Sequence, residues 1–78
     1  MKYKNMYSIG YKKPNDNTTY SGWYGGNNPE EAITNALTAG VKFHNQYSPN
    51  KLDLHDLTIV ECKLSGDYAS VMADLQRG

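Results

Sequence analysis

The sequence predicts an α+β domain: a small antiparallel sheet in β-β-α-β order, packed on one main helix, with a second helix at the C-terminus. Three observations predict it. Residues 2–12 alternate strictly and are followed by a cluster of turn formers. A well-signalled helix start at Asn28 opens an apolar stripe at helical spacing. A second alternating run follows at 58–64. The 78 residues suffice for one domain, spanning 1–78, with one modest core.

In the first run Tyr3, Asn5, Tyr7, Ile9 and Tyr11 fall on one side, and Lys4, Met6, Ser8, Gly10 and Lys12 on the other. That is a half-buried strand with Tyr7, Ile9 and Tyr11 turned to the core. Pro14-Asn15-Asp16-Asn17 supplies a fixed φ and side chains that satisfy turn backbone, so a hairpin over 2–24 is expected, with its return strand at 18–24. Either face of that return strand could be the buried one. Gly22 beside Trp23 suits close packing or a bulge.

Gly25-Gly26-Asn27-Asn28 ends the hairpin. Asn28 then has the chemistry of an N-cap, and Pro29 sits where a missing amide proton costs nothing. Glu30 and Glu31 lie in the first turn, where the helix dipole favours acids, and Glu31 completes a capping-box spacing. The helix is expected over 29–45, with Ile33, Ala36, Leu37, Gly40 and His44 as its apolar stripe and Val41 and Phe43 on the flanks. Gly40 on that stripe predicts a close approach to the sheet. Ser48-Pro49-Asn50-Lys51 stops the helix, and one helical turn is expected around 54–57.

In the strand at 58–64, Val60, Cys62 and Leu64 alternate with Ile59, Glu61 and Lys63. This makes Cys62 a buried small hydrophobe. Ser65-Gly66-Asp67 reads as a turn. For 67–76 two structures compete. Tyr68, Val71, Met72 and Leu75 fit a helix capped by Ser65 or Asp67, and a fourth strand is the rival; the regular stripe favours the helix.

Composition narrows the function classes. Eight basic and eight acidic residues cancel. Residues 1–27 carry Lys2, Lys4, Lys12 and Lys13 against Asp16, and the remainder is acidic by the same margin. A dedicated nucleic-acid binder usually has a net positive excess, which this chain lacks. The single cysteine excludes an internal disulfide and a cysteine-pair zinc site, and it fits a reducing compartment such as the cytoplasm. No apolar run nears the roughly 20 residues of a membrane span, so no membrane partner is expected.

Candidate chemistry is sparse. Gly22, Gly25 and Gly26 precede a helix, but neither phosphate-loop pattern is present, and Glu30 and Glu31 would repel an anion there. A cluster of His44, His55 and Cys62 with Asp56 could in principle bind a metal or form a nucleophile–base pair, the basis of a small-enzyme alternative, but its spacing resembles no known site. Asp53 and Asp56 read as solvated charges. No catalytic residue, cofactor or metal ligand is assigned.

The unusual feature is aromatic. There are seven tyrosines, and five of them, Tyr3, Tyr7, Tyr11, Tyr20 and Tyr24, lie with Trp23 in the hairpin beside its lysines. Such residues dominate the energetics of protein interfaces, and Tyr3, Lys4, Lys12, Lys13, Tyr20, Trp23 and Tyr24 are the expected partner-binding set. The same Lys/Tyr hairpin could hold a nucleic-acid strand, which is the first alternative. A homodimer through an uncovered edge strand is a further expectation.

The layout, with its Lys/Tyr-rich hairpin, the Asn-Pro-Glu-Glu-Ala helix start at 28–32 and the strand at 58–64, resembles small phage-encoded proteins that act on host machinery, including some anti-CRISPR proteins. The resemblance implies a stoichiometric, non-catalytic inhibitor or adaptor of a host protein complex, acting in the host cytoplasm.

Overall fold

The computed structural model describes residues 3–77. Lys2, the expected first residue of the hairpin, lies outside the described residues. Three strands, β1 (Asn5–Lys12), β2 (Tyr20–Gly26) and β3 (Thr58–Asp67), form one antiparallel sheet in the order β2-β1-β3. Helix α1 (Pro29–Tyr47) packs on one face, and helix α2 (Tyr68–Arg77) follows β3 without a loop. The α+β class, the element order and the C-terminal helix are those expected from the sequence.

β1 is central because it pairs on both sides: Tyr7 with Tyr24 and Leu64, Ile9 with Gly22 and Cys62. Tyr7, Ile9 and Tyr11 are buried on the α1 side, as their alternation requires. Met6 and Gly10 are buried as well, on the opposite face, so β1 is covered at both faces along much of its length. On β2 the pairing turns Tyr20, Gly22 and Tyr24 towards α1, and Ser21, Trp23 and Gly25 away from it.

The helix start is built as its residues predict. Asn28 Oδ1 accepts from the Glu31 amide at 2.8 Å. Glu31 Oε1 reaches back to accept from the Asn27 amide, one residue before the usual capping-box partner. A cap of this kind contributes about 1 kcal/mol. Asn27 Oδ1 in turn accepts from the Lys4 amide, tying the helix start to the chain entering β1. Ala32, Ala36 and Gly40 are the buried positions of α1, with Ile33 packed against the core. Small residues let the helix axis lie close to the sheet, and the Gly40 backbone rests against the Tyr11 ring.

Several expectations are corrected. α1 continues to Tyr47, two residues past the expected end, and stops where Ser48 adopts extended backbone ahead of Pro49. β2 runs through Gly25 and Gly26, which pair with Met6 and Asn5 and do not form a loop. Ser65-Gly66-Asp67 is not a turn. It is the end of β3, where Gly66 and Asp67 pair with Met6 and Asn5. Gly66 has φ +149°, a backbone glycine alone adopts readily.

Irregularity falls in β3 and not at Gly22. Relative to β1, β3 holds an extra residue at Val60 and another at Ser65. Val60 Cγ2 therefore lies beside Gly10 on the face away from α1, not with Cys62 and Leu64. Cys62 is exposed, contrary to the expectation of a buried thiol, and Leu64 is 58 % exposed. The cause is placement of the helix: α1 lies mainly over β2 and β1 and only grazes β3.

α2 begins with the Tyr68 amide donating to Lys4 O. Asp67 Oδ2 accepts from the Ser70 amide, so of the two expected caps it is Asp67 that acts. Tyr68 meets Tyr3 edge-on, with ring centroids 5.5 Å apart, over Gly25. Val71 sits against Gly66. Together they cover the Met6 end of the sheet face opposite α1. The expected turn near 54–57 is a 3₁₀ turn at Leu54–Asp56. No helix among the described residues is long and apolar enough to cross a membrane.

Candidate functional site

On the face of the sheet opposite α1, α2 covers the Met6 end, and elsewhere only side chains of the strands and of Thr19 lie over β1. Beyond α2, β1 presents Ser8, Gly10 and Lys12 there, the two central ones too small to fill the surface. Ser8 lies between Trp23 on β2 and Lys63 on β3, and Gly10 between Ser21 and Glu61. A side chain at Gly10 would meet Thr19, Ser21 and Val60, so these three close over the glycine and bury it. Trp23 stands on the same face, 51 % exposed, with Ser8 across the strand, Ser21 on one side along it, and the Tyr3 and Tyr68 rings over Gly25 on the other. Val60, 48 % exposed, faces the same way. A large ring left half in water on a sheet face has the character of an interface anchor.

The seven residues singled out from the sequence do not form one surface. Trp23 and Lys12 lie on this open face. Tyr3 is also on that side, but half-buried against Tyr68. Lys4 is exposed and its backbone is occupied by Asn27 and Tyr68. Tyr20 and Tyr24 point the other way, towards α1, and are half-buried; Tyr24 packs on the core. Lys13 is held 4.6 Å above the Tyr20 ring. The open face also recruits Ser8, Ser21, Val60, Glu61 and Lys63. The β1 alternation signalled Ser8, but the bulge that turns Val60 to this side has no local signature.

At the hairpin loop the rings and charges are structural. Tyr20 stacks on Tyr11, with centroids 5.6 Å apart, and donates its hydroxyl to Asp16 Oδ2 at 2.8 Å. Asp16 Oδ1 accepts from the Thr18 amide. The Thr18 amide first, and the Tyr20 hydroxyl second, hold the Asp16 carboxyl below its ordinary range. The bond to Asp16 raises the Tyr20 phenol. The signs are opposite. Asp16 contributes to loop closure above the ordinary carboxylate range, and this is lost as pH falls through its lowered value. Tyr20 contributes below the ordinary phenol range, and this is lost as pH rises through its raised value. The loop is therefore expected to be tightest from about pH 4 to about pH 10. In Asp16→Asn the Tyr20 phenol should titrate lower than in the native chain, followed by ring NMR shifts. An unchanged Tyr20 titration would contradict the pairing.

A cleft of about 450 Å³ lies between the loop at 13–16 and the segment after α1, where His44, Ser48, Asn50 and Leu52 line it. On the side after α1, polar groups in and beside it close the chain. His44 Nε2 bonds to Asn50 O at 2.8 Å, and Lys51 Nζ donates to Asn45 O and Ser48 O. Cys62 is on the middle of β3, with its thiol pushed up first by desolvation and then by the Glu30 carboxylate, which disfavours the thiolate. His55 is exposed in the 3₁₀ turn. Among the described residues no group of three or more His, Cys, Asp or Glu side chains could hold a metal ion.

The chain matches no protein-family model, no curated protein and no solved structure.

Proposed function

We propose that this protein is a non-catalytic binding protein that docks on a partner protein through the open face of its sheet and modulates or inhibits that partner. The observation that carries this reading is Trp23, more than half exposed beside Ser8 and Ser21 on the sheet face opposite α1, with Val60 also exposed there. An exposed tryptophan with an exposed aliphatic side chain on the same sheet face suits a protein surface, which can pack against the indole. The neighbouring charges, Lys12 and Lys63 with Glu61, are mixed in sign and suit a polar rim better than a phosphate track. Inhibition of a host protein complex, including a phage anti-defence role in the host cytoplasm, is the form of this function that the resemblance in layout favours.

The test is capture by the tagged full chain from lysate of the source cell, with nuclease treatment, compared with Trp23→Ala. One stoichiometric protein that survives nuclease and falls about 30-fold with Trp23→Ala is the expected result. Capture that disappears with nuclease and weakens steeply with salt would replace this reading with nucleic-acid binding by the Lys/Tyr hairpin.

A further inference from the structure

The two sheet edges are finished differently. At the β2 edge, Asn35 Nδ2 donates to Gly25 O at 2.8 Å, so α1 takes up an edge carbonyl. No side chain among the described residues bonds to the backbone of β3, whose ten residues form the longest strand. Exposed edges of this kind template pairing with another strand. Past Ile59, which packs on the core, the α1 side of β3 is thinly covered: Cys62 and Leu64 share the face of Ile9 and Tyr7, yet both are exposed because α1 lies mainly over the other strands.

What the edge accepts is decided by its charges. Between the two bulges, 61–64 is regular strand, with Glu61 and Lys63 on the face away from α1 and Cys62 and Leu64 on the other. An antiparallel copy that continues the sheet, with like faces matched, can adopt only alternate registers. Centring the pair on Glu61 sets Glu61 against Glu61, and centring it on Lys63 sets Lys63 against Lys63. Centring it on Cys62 sets Glu61 of each copy against Lys63 of the other, twice, with the two Cys62 residues face to face. Opposite charges directly across a strand pair stabilise it and like charges destabilise it.

We propose that two copies of this chain pair through β3, antiparallel about a two-fold axis at Cys62, to form a continuous six-stranded sheet. The interface is isologous, so it closes and does not propagate. The second strand shields Cys62, the matched pairs run from 61 to 63 and end at the Val60 bulges, and Trp23, on the far strand of each copy, stays open. The dimer would display two Trp23 faces on the same side of one sheet.

Sedimentation equilibrium of the full chain tests this. The native chain is expected to dimerise with concentration. Glu61→Lys and Lys63→Glu should each weaken the dimer about tenfold, since each turns two attractive pairs into repulsive ones. An equimolar mixture of the two variants should recover native-like dimerisation, because a copy with lysine at both positions then faces a copy with glutamate at both. The double variant, Glu61→Lys with Lys63→Glu, should also recover it. Circular dichroism of each variant, expected to match the native chain, separates loss of dimerisation from loss of fold. As an independent readout, directly opposed strand residues place their Cα atoms about 4.5–5.5 Å apart, inside the disulfide range. Copper–phenanthroline with oxygen, accepting two electrons and two protons from the two thiols, should therefore link Cys62 to Cys62 in the native chain and far less in either single variant. A native chain that stays monomeric, or a dimer indifferent to both single reversals, would overturn the proposal.

Discussion

Ile9→Ala is expected to destabilise the fold by about 2–5 kcal/mol, a large part of what a domain of this size has. Ile9 is fully buried at the centre of β1, and it is the largest side chain so enclosed among the described residues. Gly22 and Cys62 flank it in the sheet, and it shares a core cluster with Tyr7, Ala32 and Ala36, against which Tyr24, Ile33 and Ile59 pack. Removing its γ and δ carbons leaves a cavity at the centre of that cluster, and the cost is set by how little the cluster closes over it. A fall of at least about 10 °C in melting temperature is expected by circular dichroism. Ile9→Val, which leaves most of the volume filled, should cost only about 0.5–1.5 kcal/mol. Equal melting of the alanine variant and the native chain would show that the core lies elsewhere.

Gly26→Ala should be the most damaging glycine substitution. A methyl group there would lie 2.6 Å from the Ala32 amide nitrogen and 2.9 Å from its Cα, both in the backbone of α1. That backbone has little freedom to retreat, because the bonds among Lys4, Asn27, Asn28 and Glu31 pin the start of α1 to the sheet. Overpacking of this sort costs about 1–3 kcal/mol, and a rigid neighbour puts Gly26 at the upper end. Gly22→Ala is the control. Its methyl group meets only the Tyr24 ring, at 3.1 Å, and a side chain can turn aside. Urea unfolding of the pair should show a clear loss of midpoint for Gly26→Ala and a small change for Gly22→Ala. Matching midpoints would mean that the approach of α1 to β2 is looser than these distances.

What the sequence reveals follows how local each signal is. Asn28, Pro29 and Glu31 announce the start of α1 because capping involves residues within one turn of each other. The alternation of Tyr7, Ile9 and Tyr11 identifies a core face for the same reason, since strand periodicity is a property of neighbours. The end of β3 is misread because Ser65-Gly66-Asp67 has the local composition of a turn, while Asn5 and Met6 of a distant strand supply its pairing. Cys62 and Leu64 alternate like core residues, but their exposure depends on which strands α1 covers, a tertiary choice made by Ala32, Ala36 and Gly40.

The candidate surface divides on the same line. Aromatic enrichment draws notice to the hairpin, yet composition cannot say which rings are structural. Tyr20 is consumed by Tyr11, Asp16 and Lys13, and Tyr24 by the core, leaving Trp23 as the exposed ring of β2. The parity of one strand decides that division, and register with β1 sets it.

The most direct test of the binding face is a titration of the captured partner protein with three purified chains: native, Trp23→Ala and Phe43→Ala. Phe43 is a still more exposed aromatic ring, but it lies on α1 beside Tyr47 and away from the open sheet face. If the sheet face is the docking surface, Trp23→Ala weakens binding about 30-fold while Phe43→Ala stays within about twofold of native. Native affinity in Trp23→Ala, with or without a loss in Phe43→Ala, would contradict it.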